Sequence, residues 1–317
     1  MPTVLITGGT GLIGTALSQN LINEGYDVIV LSRHPQETAS RHNVDSERNF
    51  FRSSGNIFYA GWDIRKMTID SQAFKQADFI VHLAGAGVAD RPWTEARKKE
   101  IVESRTRSSE LVIKYLKEVP NKVRAVISVS AIGWYGPDHG KPFVETDPAS
   151  NDFLGQTCLK WEQSIEPVTE LGKRLVKLRS GIVLSNDGGA LKEFKKPIRF
   201  GIATVLGDGQ QMTSWVHIDD LCRAFVFALE DPHLVGAFNV TAPQTVTSRE
   251  LTLQLAEKMN GKKFIKAKIP ARLLKMVMGE MSTEVLKSAT VSSEKIRSKG
   301  FVFRFPSLEG ALDNLID

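Results

Sequence analysis

Four side chains of this sequence have the chemistry to move a proton to or from a substrate: Tyr135, Cys158, Lys160 and His217. Transfer of a hydride to or from a carbonyl group needs such a partner, because a proton must move with the hydride. Each side chain also has a structural explanation. Tyr135 could pack with its hydroxyl satisfied, Cys158 could be a small buried hydrophobe, Lys160 could face water, and His217 could serve the fold.

A second group of residues is suited to binding. Residues 3–14 read TVLITGGTGLIG, in which Gly8, Gly11 and Gly14 fit the pattern G-x-x-G-x-x-G. Glycines permit a tight turn and let a pyrophosphate approach the backbone, and the start of a following helix offers unpaired N–H groups. The loop follows a predicted strand and opens an amphipathic helix, so it predicts a dinucleotide site. A tight strand–helix turn without a ligand is the alternative.

The end of the second predicted strand decides between NAD and NADP. A carboxylate there would accept a hydrogen bond from the ribose 2′-hydroxyl of NAD. The stretch reads VIVLSRH and has Arg33 but no acid. A guanidinium can hold the 2′-phosphate of NADP with charge-assisted hydrogen bonds, so Arg33 predicts NADP(H). Ordinary surface charge is the other explanation for this arginine.

Further residues are expected to contact the same dinucleotide. Asp63, in AGWDI, can accept a hydrogen bond from the adenine amino group. HLAGAG brings small residues to the end of the fourth predicted strand, where each could also serve a turn or packing. The full predicted contact set is Thr7, Gly8, Gly11, Leu12, Ile13, Gly14, Arg33, Asp63, Leu83, Ala84, Gly85 and Ser128.

Composition excludes several classes of function. The 317 residues are 42% hydrophobic and 24% charged with a net charge of +5, which is typical of a soluble globular protein. The basic cluster at 91–107 is interleaved with glutamates, so it predicts a solvated helix face rather than a nucleic-acid site. No apolar run is long enough for a membrane span, and no secretory signal precedes the first strand, so the cytoplasm is expected. Two separated cysteines indicate neither a disulfide framework nor a metal site.

Short β-rich runs alternate with amphipathic stretches, which predicts a parallel sheet covered by helices. Strands are predicted at 2–7, 27–32, 57–60, 78–83, 123–129 and 174–179, and helices at 12–24, 93–118, 152–172, 219–230, 248–260, 270–278 and 307–316. Pro167 should kink or end its helix. Residues 34–55 have no clear period and predict a long loop, and the helix at 219–230 is expected to begin with an aspartate cap.

The sequence resembles the extended short-chain dehydrogenase/reductases in TGGTGLIG, WDI, HLAGAG, ISVSAIGWYG and WVHIDDL. More narrowly, RPWTEARKKEIVESR, FLGQTCLKWE and VSSEKIRSKGFVFRFPSLEGAL resemble the bacterial "epimerase family protein" group, which has a C-terminal domain of unknown function. The resemblance covers essentially the whole chain. It implies an α/β fold with a Rossmann doubly wound parallel sheet and a smaller, mainly helical C-terminal lobe. The Rossmann domain is expected over 1–185, with part of 215–245 returning to it, and the smaller lobe over 186–317, with a family-specific segment at 268–317.

The resemblance also implies a catalytic set in which a serine orients the substrate oxygen, a tyrosine is the acid or base, and a lysine holds the nicotinamide ribose. Ser130 matches the serine, and Ser128 precedes it on the same strand face. No Tyr-x-x-x-Lys occurs anywhere in the chain. On the helix that starts near residue 152, one register puts Gln156 in the place of the tyrosine, with Lys160 as the lysine. The other takes Glu162 as the lysine position and puts Cys158 in the place of the tyrosine. Ser104 replaces a frequent asparagine.

A substrate pocket is expected above the nicotinamide, where a pair of arginines would suit an anionic molecule and an indole would form a flat wall. Its predicted lining is Arg91, Trp93, Arg105 and Trp215. The expected function is an NADP(H)-binding reductase or epimerase acting on an unknown small molecule. The alternative is an inactive NADP(H)-binding sensor. Many relatives pair the helices matching 93–118 and 152–172 across a dimer interface, which makes a homodimer an expectation here.

Overall fold

An eight-stranded sheet dominates the computed structural model, which describes residues 1–41 and 55–316. The strands in those residues are β1 (Thr3–Thr7), β2 (Asp27–Ser32), β3 (Ile57–Asp63), β4 (Thr68–Ile69), β5 (Phe79–His82), β6 (Ala125–Ala131), β7 (Arg174–Ser180), β8 (Ile182–Ser185), β9 (Ile202–Leu206), β10 (Met212–Thr213), β11 (Trp215–His217), β12 (Gly236–Val240), β13 (Val246–Thr247) and β14 (Ile265–Ile269). The large sheet has the order β12-β7-β6-β5-β1-β2-β3-β4, and every pair in it is parallel except β3–β4. The predicted α/β fold with a parallel sheet is confirmed.

Twelve α-helices connect and cover these strands in the described residues. They are α1 (Leu12–Asn23), α2 (Pro35–Arg41), α3 (Ser71–Gln76), α4 (Glu95–Glu118), α5 (Phe153–Ile165), α6 (Gly189–Ile198), α7 (Ile218–Glu230), α8 (Ser248–Asn260), α9 (Ala271–Met278), α10 (Met281–Leu286), α11 (Glu294–Ser298) and α12 (Leu308–Leu315). One face of the sheet packs on α1 and α7, and the other face packs on α3 and α4. Both faces are therefore buried, which accounts for the nearly continuous apolar strands.

Most predicted elements occur within a few residues of their expected bounds, and two expectations are wrong. The stretch expected to be a loop at 34–55 begins with α2; the rest of that stretch lies outside the described residues apart from its last position. α7 begins after His217, whose side chain accepts a hydrogen bond from the Asp219 backbone, so its cap is a histidine rather than an aspartate. α5 ends at Ile165, two residues before Pro167, because proline lacks the N–H that a longer helix needs.

A segment near the C-terminus forms a strap across the rest of the chain. We use this name for residues 287–305. Val291 forms a β-bridge with Phe143, and Ser214 donates a hydrogen bond to Ala289 and accepts one from Val291. Beyond that bridge, Phe301 and other side chains enter the core of the large sheet. The strap therefore fastens the sheet to a smaller core built around α6, α8 and α12.

No helix among residues 1–41 and 55–316 is both long enough and apolar enough to cross a membrane. The same residues contain no group of three or more histidine, cysteine or acidic side chains arranged to hold a metal ion.

Candidate functional site

The glycine loop connects β1 to α1 at the carboxyl edge of the large sheet. Gly8 has a φ of +69°, and a Cβ atom there would lie 2.8 Å from the carbonyl carbon of Leu83. A Cβ on Gly14 would lie 2.5 Å from the Gly8 carbonyl oxygen. Contacts shorter than 3 Å cannot be accommodated without moving the backbone. Gly8 and Gly14 are therefore required by the loop itself, whatever binds to it.

Gly11 is different, because the fold leaves space beside it. It is exposed, its φ is −82°, and the nearest atom to an added Cβ would be the Gly8 oxygen at 3.4 Å. Gly11 is also the N-cap of α1, and no side chain caps that helix. The first backbone N–H groups of α1 therefore face the open side of the loop, together with the positive end of the helix dipole. This arrangement suits a phosphate group that comes close to the backbone.

Thr7 joins the two strands that carry the predicted binding segments. Its hydroxyl shares a hydrogen bond of 2.8 Å with His82 Nδ1 and accepts hydrogen bonds from the Leu83 and Ala84 backbones. Thr7 and His82 are register partners in the parallel pair of β1 and β5. The glycine loop and Leu83–Gly85 therefore leave the sheet side by side, and Thr7 holds them rather than facing a ligand.

Burial of the His82 ring should make stability depend on pH. Burial lowers the pKa of His82 to about 4, from an ordinary 6.5. Below pH 6.5 the His82 ring is protonated in the unfolded chain but stays neutral in the folded protein. Acidification to pH 4 should therefore lower the free energy of unfolding by about 3 kcal/mol. We expect urea titrations between pH 7.5 and 4 to show this loss in wild type and a shallower slope in His82→Asn. His233→Asn, at an exposed site, should keep the wild-type slope; equal slopes for all three proteins would contradict the assignment to His82.

The residues predicted for the adenine side lie at the ends of β2 and β3. Arg33 is exposed, and no described residue forms an ion pair or hydrogen bond with it. Ser32 is bonded to the Thr38 hydroxyl, so α2 packs down beside this strand end. Asp63 Oδ1 accepts hydrogen bonds from the Arg65 and Lys66 backbones, and these bonds lower its pKa. Asp63 therefore stays ionised while it shapes the turn after β3.

A buried ionic network occupies the ends of β6 and β7, and sequence reasoning missed its two charged members. Ser130 donates a hydrogen bond of 2.8 Å to Glu162, which also receives two bonds from Arg179, at 2.8 and 3.0 Å. Arg179 in turn donates to the Tyr135 hydroxyl, and that hydroxyl donates to Asn239 at 2.7 Å. The signal in the sequence was weak, because Arg179 is one of three basic residues in β7, which reads RLVKLRS.

The four predicted proton carriers do not gather at one point. Tyr135 is fully buried, both of its hydrogen bonds are made within the network, and burial raises its pKa to about 12. Lys160 is exposed on α5. His217 is buried against Phe305, with ring centroids 3.9 Å apart, and burial lowers its pKa. These placements favour the structural explanation for Tyr135, Lys160 and His217.

The face of α5 that lies against β6 includes the register in which Cys158 takes the place of the tyrosine and Glu162 that of the lysine. Leu154 lies beside Gly133, the Cys158 thiol lies 3.7 Å from the Ala131 oxygen, and Glu162 binds Ser130. These three positions are four residues apart, as expected for one helix face. Gln156 bonds to the Ser150 carbonyl instead. The pair of this register is thus Cys158 and Glu162, neither of which is a phenol or an amine. Burial raises the pKa of the Cys158 thiol to about 12.

Two of the four residues predicted to line a substrate pocket pack against α5, Trp93 at its start and Arg105 further along it. Trp93 packs edge-on against Phe153, and Arg105 lies 4.8 Å from the centre of the Trp161 ring. Arg91 is exposed. Trp215 is wrong as a pocket residue, because it is fully buried in the core of the smaller lobe.

A cavity of about 430 Å³ lies in the smaller lobe, away from all four predicted pocket residues. It is lined by Gly207, Asp208, Gln211, Lys268, Pro270, Ala271 and Leu286. The sequence predicted the helix at 270–278, whose first residues line this cavity, but no pocket here.

Comparison with known proteins identifies two families within the chain. Residues 4–154 and 191–241 match the NAD dependent epimerase/dehydratase family, and residues 269–315 match a domain of unknown function, DUF1731. An epimerase family protein of Staphylococcus aureus strain MRSA252 is 32% identical over 317 residues, which are 100% of this chain and 99% of that protein. A Staphylococcus haemolyticus protein of the same description is 32% identical over 320 residues, covering 100% of both.

Solved structures give the same result. The crystal structure of a human epimerase family protein with NADPH has 27% sequence identity and a TM-score of 0.83, over 99% of each chain. A nucleoside-diphosphate sugar epimerase from Corynebacterium glutamicum has 26% identity and a TM-score of 0.74, over 100% of this chain and 58% of that chain. The resemblance inferred from the sequence motifs is confirmed.

Proposed function

The chain belongs to the NAD dependent epimerase/dehydratase family, and from that premise we propose that it binds NADP(H) and acts as a reductase or epimerase on a small molecule. The glycine loop would hold the pyrophosphate on the first turn of α1. Arg33 would hold the 2′-phosphate, Asp63 the adenine, and Leu83–Gly85 would lie along the dinucleotide. The human relative solved with NADPH supports this choice of cofactor.

One observation carries the binding part of the proposal. Gly8 and Gly14 are explained by contacts within the protein, but Gly11 is not, because a side chain there would meet open space. A Cβ at Gly11 would make only an ordinary contact of 3.4 Å with the Gly8 oxygen, so the fold does not demand glycine there. A glycine at an uncapped helix start is then explained by a ligand that approaches the backbone. The groups proposed to hold phosphates also have the right chemistry. They are the first backbone N–H groups of α1 and the Arg33 guanidinium after β2, and they include no carboxylate.

The choice of NADP over NAD can be tested at Arg33. Arg33→Ala should weaken NADPH binding by roughly 10- to 100-fold, because a charge-assisted hydrogen bond contributes about 1.5–3 kcal/mol. NADH has no 2′-phosphate, so its affinity should change less than about threefold. Isothermal titration calorimetry with both nucleotides measures the difference. Arg199→Ala removes the same charge from an exposed site in the smaller lobe and should change neither affinity. An equal loss of both affinities in Arg33→Ala would refute the assignment.

The reaction part of the proposal depends on residues at the ends of β6 and α5. The bound cofactor would supply or accept a hydride. Ser130 would orient the substrate oxygen with a hydroxyl that Glu162 holds in one direction at 2.8 Å. The proton donor would be a group other than Tyr135, whose hydroxyl is already committed to Arg179 and Asn239.

The second candidate function is an NADP(H)-binding sensor without turnover. It is favoured by Cys158 and Glu162 on the β6-facing side of α5. Burial raises the pKa of the Cys158 thiol to about 12, and the Glu162 carboxylate is bound to Ser130 and Arg179. A screen for NADPH consumption over carbonyl compounds and nucleotide sugars separates the two candidates. Turnover of any of them supports the enzyme. Tight NADPH binding with no consumption across the panel supports the sensor.

A further inference from the structure

Two arginines lie on opposite sides of the glycine loop along the carboxyl edge of the sheet. Arg33 follows β2, which pairs with β1 on one side. Arg105 comes from α4 and lies against the segment after β5, which pairs with β1 on the other side. A dinucleotide whose pyrophosphate sits on the loop extends in both directions along this edge. With its adenosine half near Arg33, its nicotinamide half lies on the side of Arg105.

The Arg105 guanidinium is held in place without a carboxylate. Its Nη1 donates hydrogen bonds of 2.9 Å to the carbonyls of Ala86 and Ile101. Its planar group lies 4.8 Å from the Trp161 ring on one side, and a Cβ on Gly85 would approach its carbon to 3.0 Å on another. No carboxylate of residues 1–41 and 55–316 lies within 4 Å of it, and no described residue accepts a hydrogen bond from Nε or Nη2. The cation is therefore fixed, and part of its donor capacity is free.

The neighbouring groups do not cancel this charge. Cys158 faces Arg105 as a neutral thiol, because burial raises its pKa to about 12. Glu162, one turn further along α5, is neutralised by its two bonds to Arg179. Arg97, on the same helix as Arg105, adds a second positive charge, which is paired with Glu100 and Asp90. The β5 end of the edge therefore carries a net positive charge contributed by Arg105.

We propose that Arg105 makes this site select the reduced, uncharged nicotinamide of NADPH over the oxidised, cationic nicotinamide of NADP⁺. The inference rests on the proposed binding of NADP(H). A fixed guanidinium repels a second cation, and in a protein environment like charges about 10 Å apart change a binding ratio by roughly tenfold. The phosphates and the adenosine half are common to both nucleotides, so they do not contribute to the difference. Arg105 is thus a specificity-determining residue for the redox state of the cofactor.

Calorimetric titrations with NADPH and NADP⁺ test this selectivity directly. Wild type should bind NADPH at least about tenfold more tightly than NADP⁺, as the repulsion requires. Arg105→Met should reduce that ratio at least fivefold, and Arg105→Lys should retain most of it because the charge remains. Arg107→Met removes an exposed cation from the same helix and should leave the ratio unchanged. Both affinities are measured on the folded fraction, so partial unfolding of a variant does not change their ratio. Arg105→Gln is the second neutral variant and should reduce the ratio in the same way as Arg105→Met.

Adenosine 2′,5′-bisphosphate, which lacks the nicotinamide half, is the control ligand for binding on the adenosine side. Its affinity should be the same in wild type and Arg105→Met. A parallel loss of NADPH and of this half-molecule would overturn the inference, since Arg105 would then serve the adenosine side. Equal wild-type affinities for NADPH and NADP⁺, or an unchanged ratio in both neutral variants, would also overturn it while leaving the proposed function standing. Wild type that binds neither nucleotide overturns both.

Discussion

An aspartate in place of Gly11 is expected to abolish NADPH binding while leaving the protein as stable as before. Aspartate is a better N-cap than glycine by a few tenths of a kcal/mol, and the backbone at Gly11 has a negative φ that any residue can adopt. The fold leaves room for the new side chain. Its carboxylate, however, takes the N–H groups at the start of α1 and repels a phosphate, so affinity should fall at least about 100-fold.

Gly14→Ala is the matched variant in the same loop. It should lower the stability of the fold, whereas Gly11→Asp should lower the affinity for NADPH and leave stability unchanged. Its Cβ would lie 2.5 Å from both the Gly8 oxygen and the Gly9 Cα, and the backbone cannot yield cheaply. We expect a loss of about 1–3 kcal/mol or more in unfolding free energy, typical of overpacking. Urea unfolding and NADPH titration on both variants separate the two roles of the loop. If Gly11→Asp is destabilised as much as Gly14→Ala, the fold itself requires Gly11, and the open space beside it does not indicate a ligand.

The second large effect is expected at Glu162. Glu162→Ala should lower the free energy of unfolding by about 3–5 kcal/mol, because it leaves the buried guanidinium of Arg179 without its carboxylate. The Ser130 hydroxyl loses its acceptor in the same variant. Glu162 lies on α5 and Arg179 on β7, so this pair also joins the helix to the sheet at the candidate site.

Glu166→Ala provides the comparison, since Glu166 is a half-exposed partner of Lys177 at 2.6 Å. That surface pair should contribute no more than about 1 kcal/mol. A double variant, Glu162→Leu with Arg179→Met, should recover much of the loss, because buried ion pairs can be replaced by apolar groups of similar volume. Urea unfolding of the three variants is the measurement. Equal small losses for Glu162→Ala and Glu166→Ala would show that Arg179 is not desolvated as its position indicates.

The elements that sequence reasoning predicted well are those whose signals are local. The glycine loop, the apolar strands and α8 each carry their pattern within about a dozen consecutive residues. α2 was missed because PQETASR has no apolar stripe, and its helix packs on β3 through few side chains. His217 was missed as a cap because histidine seldom has that role, and Asp219 beside it is a stronger capping residue in general.

The candidate catalytic residues could not be evaluated from the sequence, because their burial and hydrogen bonds depend on residues far away in the chain. The Tyr135 hydroxyl is occupied by Asn239, which lies 104 positions later on the edge strand of the sheet. The sequence left two registers open for the tyrosine's place, whereas the contacts of Cys158 with Ala131 and of Glu162 with Ser130 put the register that contains Cys158 against β6. Residue type identifies the chemistry a group can do. Burial and partners decide whether it is free to do it.

The strap has a consequence for how this protein is made. Ile296, Phe301 and Phe303 belong to the same core as β1, α1 and α7, although they are translated some 290 residues after β1. When β12, the last strand of the large sheet, has left the ribosome, that core still lacks these three side chains. The nascent chain therefore exposes part of the apolar face of α7 until synthesis is nearly complete, and exposed apolar surface of this kind promotes aggregation of incompletely folded chains.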